Sequence, residues 1–180
     1  MDAPLLLGGL IAVRILIVDG YNVIRQTPPY SHLAETDLDA SRVALIGDVA
    51  AFAHGDFEAT VVFDGHNNPQ SNGLPHQVAG ITVIFSRYRI DADSVIEALA
   101  RAARERGDET VVVTSDAQTQ WTVMGGGVGR MSSAEFSGEL RDGSTEWREH
   151  APAGLTKSRI EERIDPVTAE TLARWARGEL

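Results

Sequence analysis

Four aspartates are the side chains in this sequence best placed to do chemistry. Asp19 closes the apolar run Ile15-Leu16-Ile17-Val18, and Asp64 closes Ala59-Thr60-Val61-Val62-Phe63. Asp116 follows Thr110-Val111-Val112-Val113-Thr114 by one residue, Ser115. The run Ile81-Thr82-Val83-Ile84-Phe85 leads through Arg87 and Arg89 to Asp91-Ala92-Asp93. If these runs are neighbouring parallel strands, all four carboxylates arrive at one edge. Like charges crowded together repel, and a divalent cation is the usual compensation. Oxygen ligands with no cysteine, and no histidine pair at ligand spacing, favour Mg²⁺ or Mn²⁺ over Zn²⁺. The natural reaction of such a cluster is phosphodiester hydrolysis, with a cation assisting water and leaving oxygen. Any single aspartate is more often a helix cap or turn residue, so the weight rests on the set.

The elements that must position these groups are readable from hydropathy. Unbroken apolar runs of four or five residues suit central parallel strands covered on both faces. Between them, Leu38, Leu45, Val49 and Phe52 recur at helical spacing, as do Val95, Ile96, Leu99 and Ala103, with Gly107 as a stop. Asn67 to Pro75 reads as a flexible surface loop. A short strand is expected at Val128–Met131, a helix at Ser133–Leu140, a polar stretch to Leu155, and a last helix over Val167–Arg177 behind Asp165-Pro166. Strands alternating with helices predict an α/β sandwich with a mostly parallel sheet and right-handed crossovers.

Composition sets outer bounds. The 180 residues suffice for one domain with a real core, and the absence of cysteine excludes a disulfide framework. Residues 1–13 form an apolar extension too short to span a membrane and without a positive leader, residues 14–150 the domain, and 151–180 a tail with a terminal helix. A cytoplasmic protein without a membrane partner is the expectation. Sixteen basic against 26 acidic residues give a net charge of −10, which disfavours an avid stand-alone nucleic-acid coater. Nucleotide-loop and serine-hydrolase motifs, GxxxxGKS/T and GxSxG, are absent. Gly125-Gly126-Gly127-Val128-Gly129 does not follow the first strand, as a dinucleotide fingerprint would. A phosphatase forming an aspartyl-phosphate would want a second aspartate where Tyr21 stands.

Val18-Asp19-Gly20-Tyr21-Asn22 resembles the opening motif of NYN domains. Val62-Phe63-Asp64, Ala92-Asp93 with Ile96-Glu97, and Thr114-Ser115-Asp116 are similar to the landmarks of the YacP-like branch. So are Gln120-Trp121-Thr122 with Gly125, Arg130-Met131-Ser132 with Glu135, and Asp165-Pro166. The resemblance runs from about residue 14 to 178. It implies a PIN-like (NYN) three-layer sandwich with a mostly parallel central sheet flanked by helices. It also implies a divalent-metal-dependent endoribonuclease acting on single-stranded RNA or mRNA, with Mg²⁺ or Mn²⁺ as cofactor and the ribosome as a partner in mRNA decay. Asp19, Asp93 and Asp116 match the metal carboxylates, and Asn22 the motif asparagine that would orient a phosphate or a water. Asp64 and Glu97 match supporting positions. Asp91 departs from the branch's usual threonine, and Ala134 from a commonly basic residue. Read from the residues themselves, Ser115 is divided evenly between a phosphate contact and a local turn. Tyr21, Arg87 and Arg130 are the candidates for substrate contact, with solvated or packed side chains as the plainer account of each. A PIN-like module that binds RNA or the ribosome without cutting is the alternative, and a small-molecule phosphohydrolase a third.

Overall fold

The computed structural model describes residues 13–116, 128–150, 166–177 and 179, with 143–150 as backbone only. Strand β1 (Arg14–Asp19) is followed by three helices, α1 (Gly20–Gln26), α2 (Pro28–Thr36) and α3 (Leu38–Ala53). Strand β2 (Glu58–Phe63), the hairpin β3 (Pro75–Val78) and β4 (Ile81–Phe85), helix α4 (Ala92–Arg106) and β5 (Glu109–Val113) come next. Strand β6 (Val128–Met131), α5 (Ser133–His150) and α6 (Pro166–Arg177) complete the described chain.

Local chemistry sets the helix ends. Asp37 caps α3 by accepting the N–H of Ala40 at 2.9 Å, and Asp91 caps α4 through Ser94 at 2.7 Å. Cap duty accounts for the departure noted at Asp91, since aspartate and threonine both serve there. Gly107, at φ 80°, ends α4 in the left-handed region. Prolines 28 and 29 open α2 at positions that need no N–H. At the start of α5, Ser132 and Glu135 form a reciprocal capping box, with Ser132 donating to Glu135 and Glu135 N–H to Ser132 Oγ.

The six strands lie in the order β3-β4-β2-β1-β5-β6, all parallel except β3, which runs antiparallel to β4. One face buries Leu16, Val18, Val61, Phe63, Val83 and Val113 against α1, α2, α3, Phe136 of α5 and Leu172 of α6. The other buries Ile15, Ile17, Val62 and Val112 against Ala92, Ile96, Ala100 and Ala103 of α4. This three-layer arrangement is the sandwich expected from the sequence. Each fully buried Val, Leu, Ile or Phe contributes about 1.5–3 kcal/mol, so the two clusters fix the register of the sheet. Among the described residues, no helix is long and apolar enough to cross a membrane.

Three differences from expectation are informative. Helices α1 and α2 occupy the stretch after Asp19, β3 follows the predicted loop, and α5 runs past Leu140 to His150. The loop itself is pinned: Ser71 Oγ donates to Ser86 O at 2.8 Å, and Tyr88 N–H to Ser71 O at 3.1 Å. The glycine-rich run up to Gly127, Trp121 and its neighbours, Asp165 and the first twelve residues lie outside the described residues.

Candidate active site

Connection order locates the site. From β1 the chain moves outward to β2 and β4, then crosses the sheet through α4 to β5 on the other side of β1. The direction of winding therefore reverses between β1 and β5. Ligands of open parallel sheets collect outside the carboxyl ends of the strands at that point. Asp19 stands there, as the last residue of β1 and the cap of α1, accepting the N–H of Asn22 at 3.1 Å.

Asp19 is buried, and burial is the main reason its pKa rises from 3.8 to about 6. The Asn22 hydrogen bond and Arg25 pull it down, while the charges of Asp93 and Asp116 push it up. Asp93, in the first turn of α4, and Asp116, after β5, thus act electrostatically on Asp19 from two other elements. The three carboxylates singled out in the sequence share one locality. All of their side-chain polar atoms are oxygens, the donor type a hard divalent cation takes. Among the described residues, no three Asp, Glu or His side chains close into a ready coordination shell.

Asn22 faces inward. Its Oδ1 accepts the N–H of Ser115 at 2.9 Å and the hydroxyl of Ser133 at 2.7 Å. Ser115 Oγ in turn accepts the N–H of Ser133 at 3.0 Å. Asp116 N–H donates to Thr114 Oγ1 at 3.1 Å, completing the turn. One amide thereby ties α1, the strand end that carries Asp116, and the start of α5. Ser133 was not singled out in the sequence, and its only signal there was its place at the head of a helix.

The remaining candidates spread along the edge. Asp64 accepts His66 Nδ1–H at 2.6 Å and His66 N–H at 2.9 Å, with Ser86 Oγ at 3.5 Å. Glu97 sits half-buried one turn beyond Asp93. Tyr21 packs on Phe63, ring centres 5.1 Å apart, and its hydroxyl accepts from Arg42 Nε at 3.0 Å. Its inward tie to Arg42, a residue the sequence did not flag, uses the ring for packing. Arg87 is exposed after β4, and Arg130 is exposed on β6 one residue before the carboxyl end.

Comparison with known proteins agrees with the fold. The chain is 32% identical over 183 residues to the protein YacP of Bacillus subtilis (strain 168), covering 92% of this chain and 98% of that one. The crystal structure of Rae1 (YacP) from Bacillus subtilis matches with a TM-score of 0.63 at 28% identity, over 91% of this chain and 95% of that one. A single-substitution variant of the same protein gives a TM-score of 0.65 at 26% identity, over 88% and 98% of the two chains. The YacP-like NYN domain description matches residues 16–177, and the chain belongs to that family.

Proposed function

We propose that the chain is a divalent-metal-dependent endoribonuclease that cuts single-stranded RNA at the β1/β5 edge. Domains of the NYN and PIN-like superfamily are typically nucleases, so family membership supports a nuclease-type, RNA-related function. The observation that carries the finer reading is the buried Asp19 at the switch point, with Asp93 and Asp116 acting on it. A fold has no stability reason to gather repelling carboxylates round a buried one, and a cation relieves the cost.

Asp19, Asp93 and Asp116 would hold the ion, Mg²⁺ or Mn²⁺. When bound, it supplies activation of water and charge stabilisation at the leaving oxygen. Asn22 holds Asp116's turn in register with Asp19 through Ser115. Asp64 orients His66 at the rim. Attack in line with the scissile P–O bond leaves a 5′-phosphate and a 3′-hydroxyl. Substrate is mRNA in this reading, delivered with the ribosome's help in a cytoplasmic setting, because a chain of net charge −10 attracts free RNA poorly.

The test is cleavage of an unstructured labelled RNA with Mn²⁺ or Mg²⁺, set beside Asp19→Asn and Asp93→Asn. Loss of cutting in both variants and in chelator supports the reading. Cutting that survives chelation, or survives both substitutions, sinks it. Cosedimentation of the protein with ribosomes and no cleavage of their mRNA would instead favour a binding module.

A further inference from the structure

We propose that the exposed turn Arg87-Tyr88-Arg89 is a base-stacking and phosphate-binding subsite for single-stranded RNA, an inference that rests on the nuclease reading. The turn leaves β4 at the carboxyl edge and runs into Asp91, the cap of the helix that carries Asp93. It is therefore the approach to the acidic centre from the β4 side.

The turn carries two cations in a chain of net charge −10. Arg14, Arg42, Arg106 and Arg177 each pair with a carboxylate, as expected where acids outnumber bases. Arg87 and Arg89 are exposed and have no carboxylate partner among the described residues. Between them Tyr88 is 37% exposed, with the Arg89 guanidinium 5.1 Å from its ring centre. A cation on one ring face and a base stacked on the other is an arrangement single-strand binders use, and stacking tolerates any base.

The turn is also built and held. Arg89 lies at φ 66°, where a bulky residue is strained. Its N–H donates to His66 O at 2.9 Å, Tyr88 N–H to Ser71 O at 3.1 Å, and Ile90 N–H to Arg87 O at 2.8 Å. Beneath it Gly73, at φ 75°, leaves space that a Cβ would fill only 3.1 Å from Arg87 Cβ. A turn fixed this way presents Tyr88 and both arginines without a backbone ordering cost on binding. Bases inside a duplex are already stacked on one another, so Tyr88 selects unpaired RNA. The phosphates then follow the two arginines toward the acidic edge.

Anisotropy of a fluorescein-labelled unstructured oligoribonucleotide, titrated with the full chain in Ca²⁺, tests this. Tyr88→Ala is expected to weaken binding about tenfold, whereas Tyr88→Phe and Tyr88→Trp retain it. Tyr88→Leu, which keeps apolar bulk, is expected to fail like Ala. Arg87→Ala and Arg89→Ala should each lower the slope of log affinity against log salt by about 0.7. Circular dichroism and the unfolding midpoint confirm that each variant folds. The proposal is overturned if Tyr88→Ala or Tyr88→Leu binds as wild type, or if Tyr88→Phe loses as much as Ala. Equal loss on a duplex of the same sequence overturns it too, as does a Tyr88-dependent preference for polyglutamate over RNA. Tyr88-dependent RNA binding without any cutting would leave the subsite standing and remove the nuclease reading. Metal-dependent cutting with unaltered binding by Tyr88→Ala would do the reverse.

Discussion

Asn22 Oδ1 accepts the backbone N–H of Ser115 at 2.9 Å, a contact that spans 93 residues of sequence. Together with the Ser133 hydroxyl it makes Asn22 the joint between the two strand ends that carry Asp19 and Asp116. The asparagine positions one carboxylate relative to another.

Removing that joint leaves two donors without their acceptor. Asn22→Ala is expected to lower unfolding stability by about 2–4 kcal/mol in denaturant titrations, and to reduce cleavage further than the stability loss explains. Asn22→Asp keeps an acceptor at the same place, so much of the stability returns. It also adds a charge beside Asp19, so activity should not return with it. Wild-type stability in Asn22→Ala would show that the contacts carry little.

Gly20 is a second fixed point of the motif. A Cβ there would sit 2.4 Å from Phe63 Cε1, and Phe63 is fully buried and stacked on Phe85 with ring centres 5.2 Å apart. The ring has nowhere to go. Gly20→Ala is expected to cost about 1–3 kcal/mol or more, and to displace Asp19 and Tyr21 on either side. Gly138, within α5, is the control, because a Cβ there meets nothing within 4 Å. Gly138→Ala should gain up to about 1 kcal/mol from helix propensity. Chemical denaturation of the two variants gives the comparison, and equal effects would refute the steric account.

The β3–β4 hairpin turns on Ala79 and Gly80, at φ 51° and 84°. Two positive φ values mark the tight turn whose hand matches the twist of its strands, and asparagine suits the first position far better than alanine. Ala79→Asn is expected to raise stability by about 0.5–1 kcal/mol without changing cleavage. An unchanged or lowered unfolding midpoint would count against the strain at Ala79.

What was legible in the sequence followed from local pattern. The runs ending at Asp19, Phe63, Phe85 and Val113 are central strands, and Gly107 ends α4 where its left-handed φ is needed. The gathering of Asp19, Asp93 and Asp116 was legible because parallel strands deliver their carboxyl ends to one edge. Helices α1 and α2 were not: seven and nine residues are too few to display a period, and prolines 28 and 29 interrupt what pattern there is. Strand β3 is four residues beginning at Pro75, at the end of a turn-rich stretch. The contact of Ser133 with Asn22, 111 residues apart, and the hold of Arg42 on Tyr21 are tertiary pairings that leave no local trace. Sequence pattern names which groups share an edge, and packing decides which way each side chain turns.

Asp19 links stability to pH with a sign opposite to that of a salt-bridged carboxylate. Its folded pKa of about 6 lies above the ordinary 3.8, chiefly because it is buried. At acid pH, below both values, folded and unfolded chains are both protonated and the group is neutral for stability. Between them only the folded chain holds the proton, so stability falls as pH rises. Above about 6 the whole penalty, on the order of 3 kcal/mol, is in place for the metal-free protein. Asp19→Asn keeps an oxygen for the Asn22 N–H and carries no charge. In chelator it is expected to be more stable than wild type by about 2–3 kcal/mol near pH 8, and no more stable near pH 3. Adding Mn²⁺ should close the gap, since an ion that binds only the folded wild type stabilises it by mass action. Unfolding midpoints at the two pH values, with and without Mn²⁺, decide the matter. A variant no more stable than wild type near pH 8 would mean that the carboxylate does not strain the fold, and one that gains as much from Mn²⁺ would mean that it does not bind the ion.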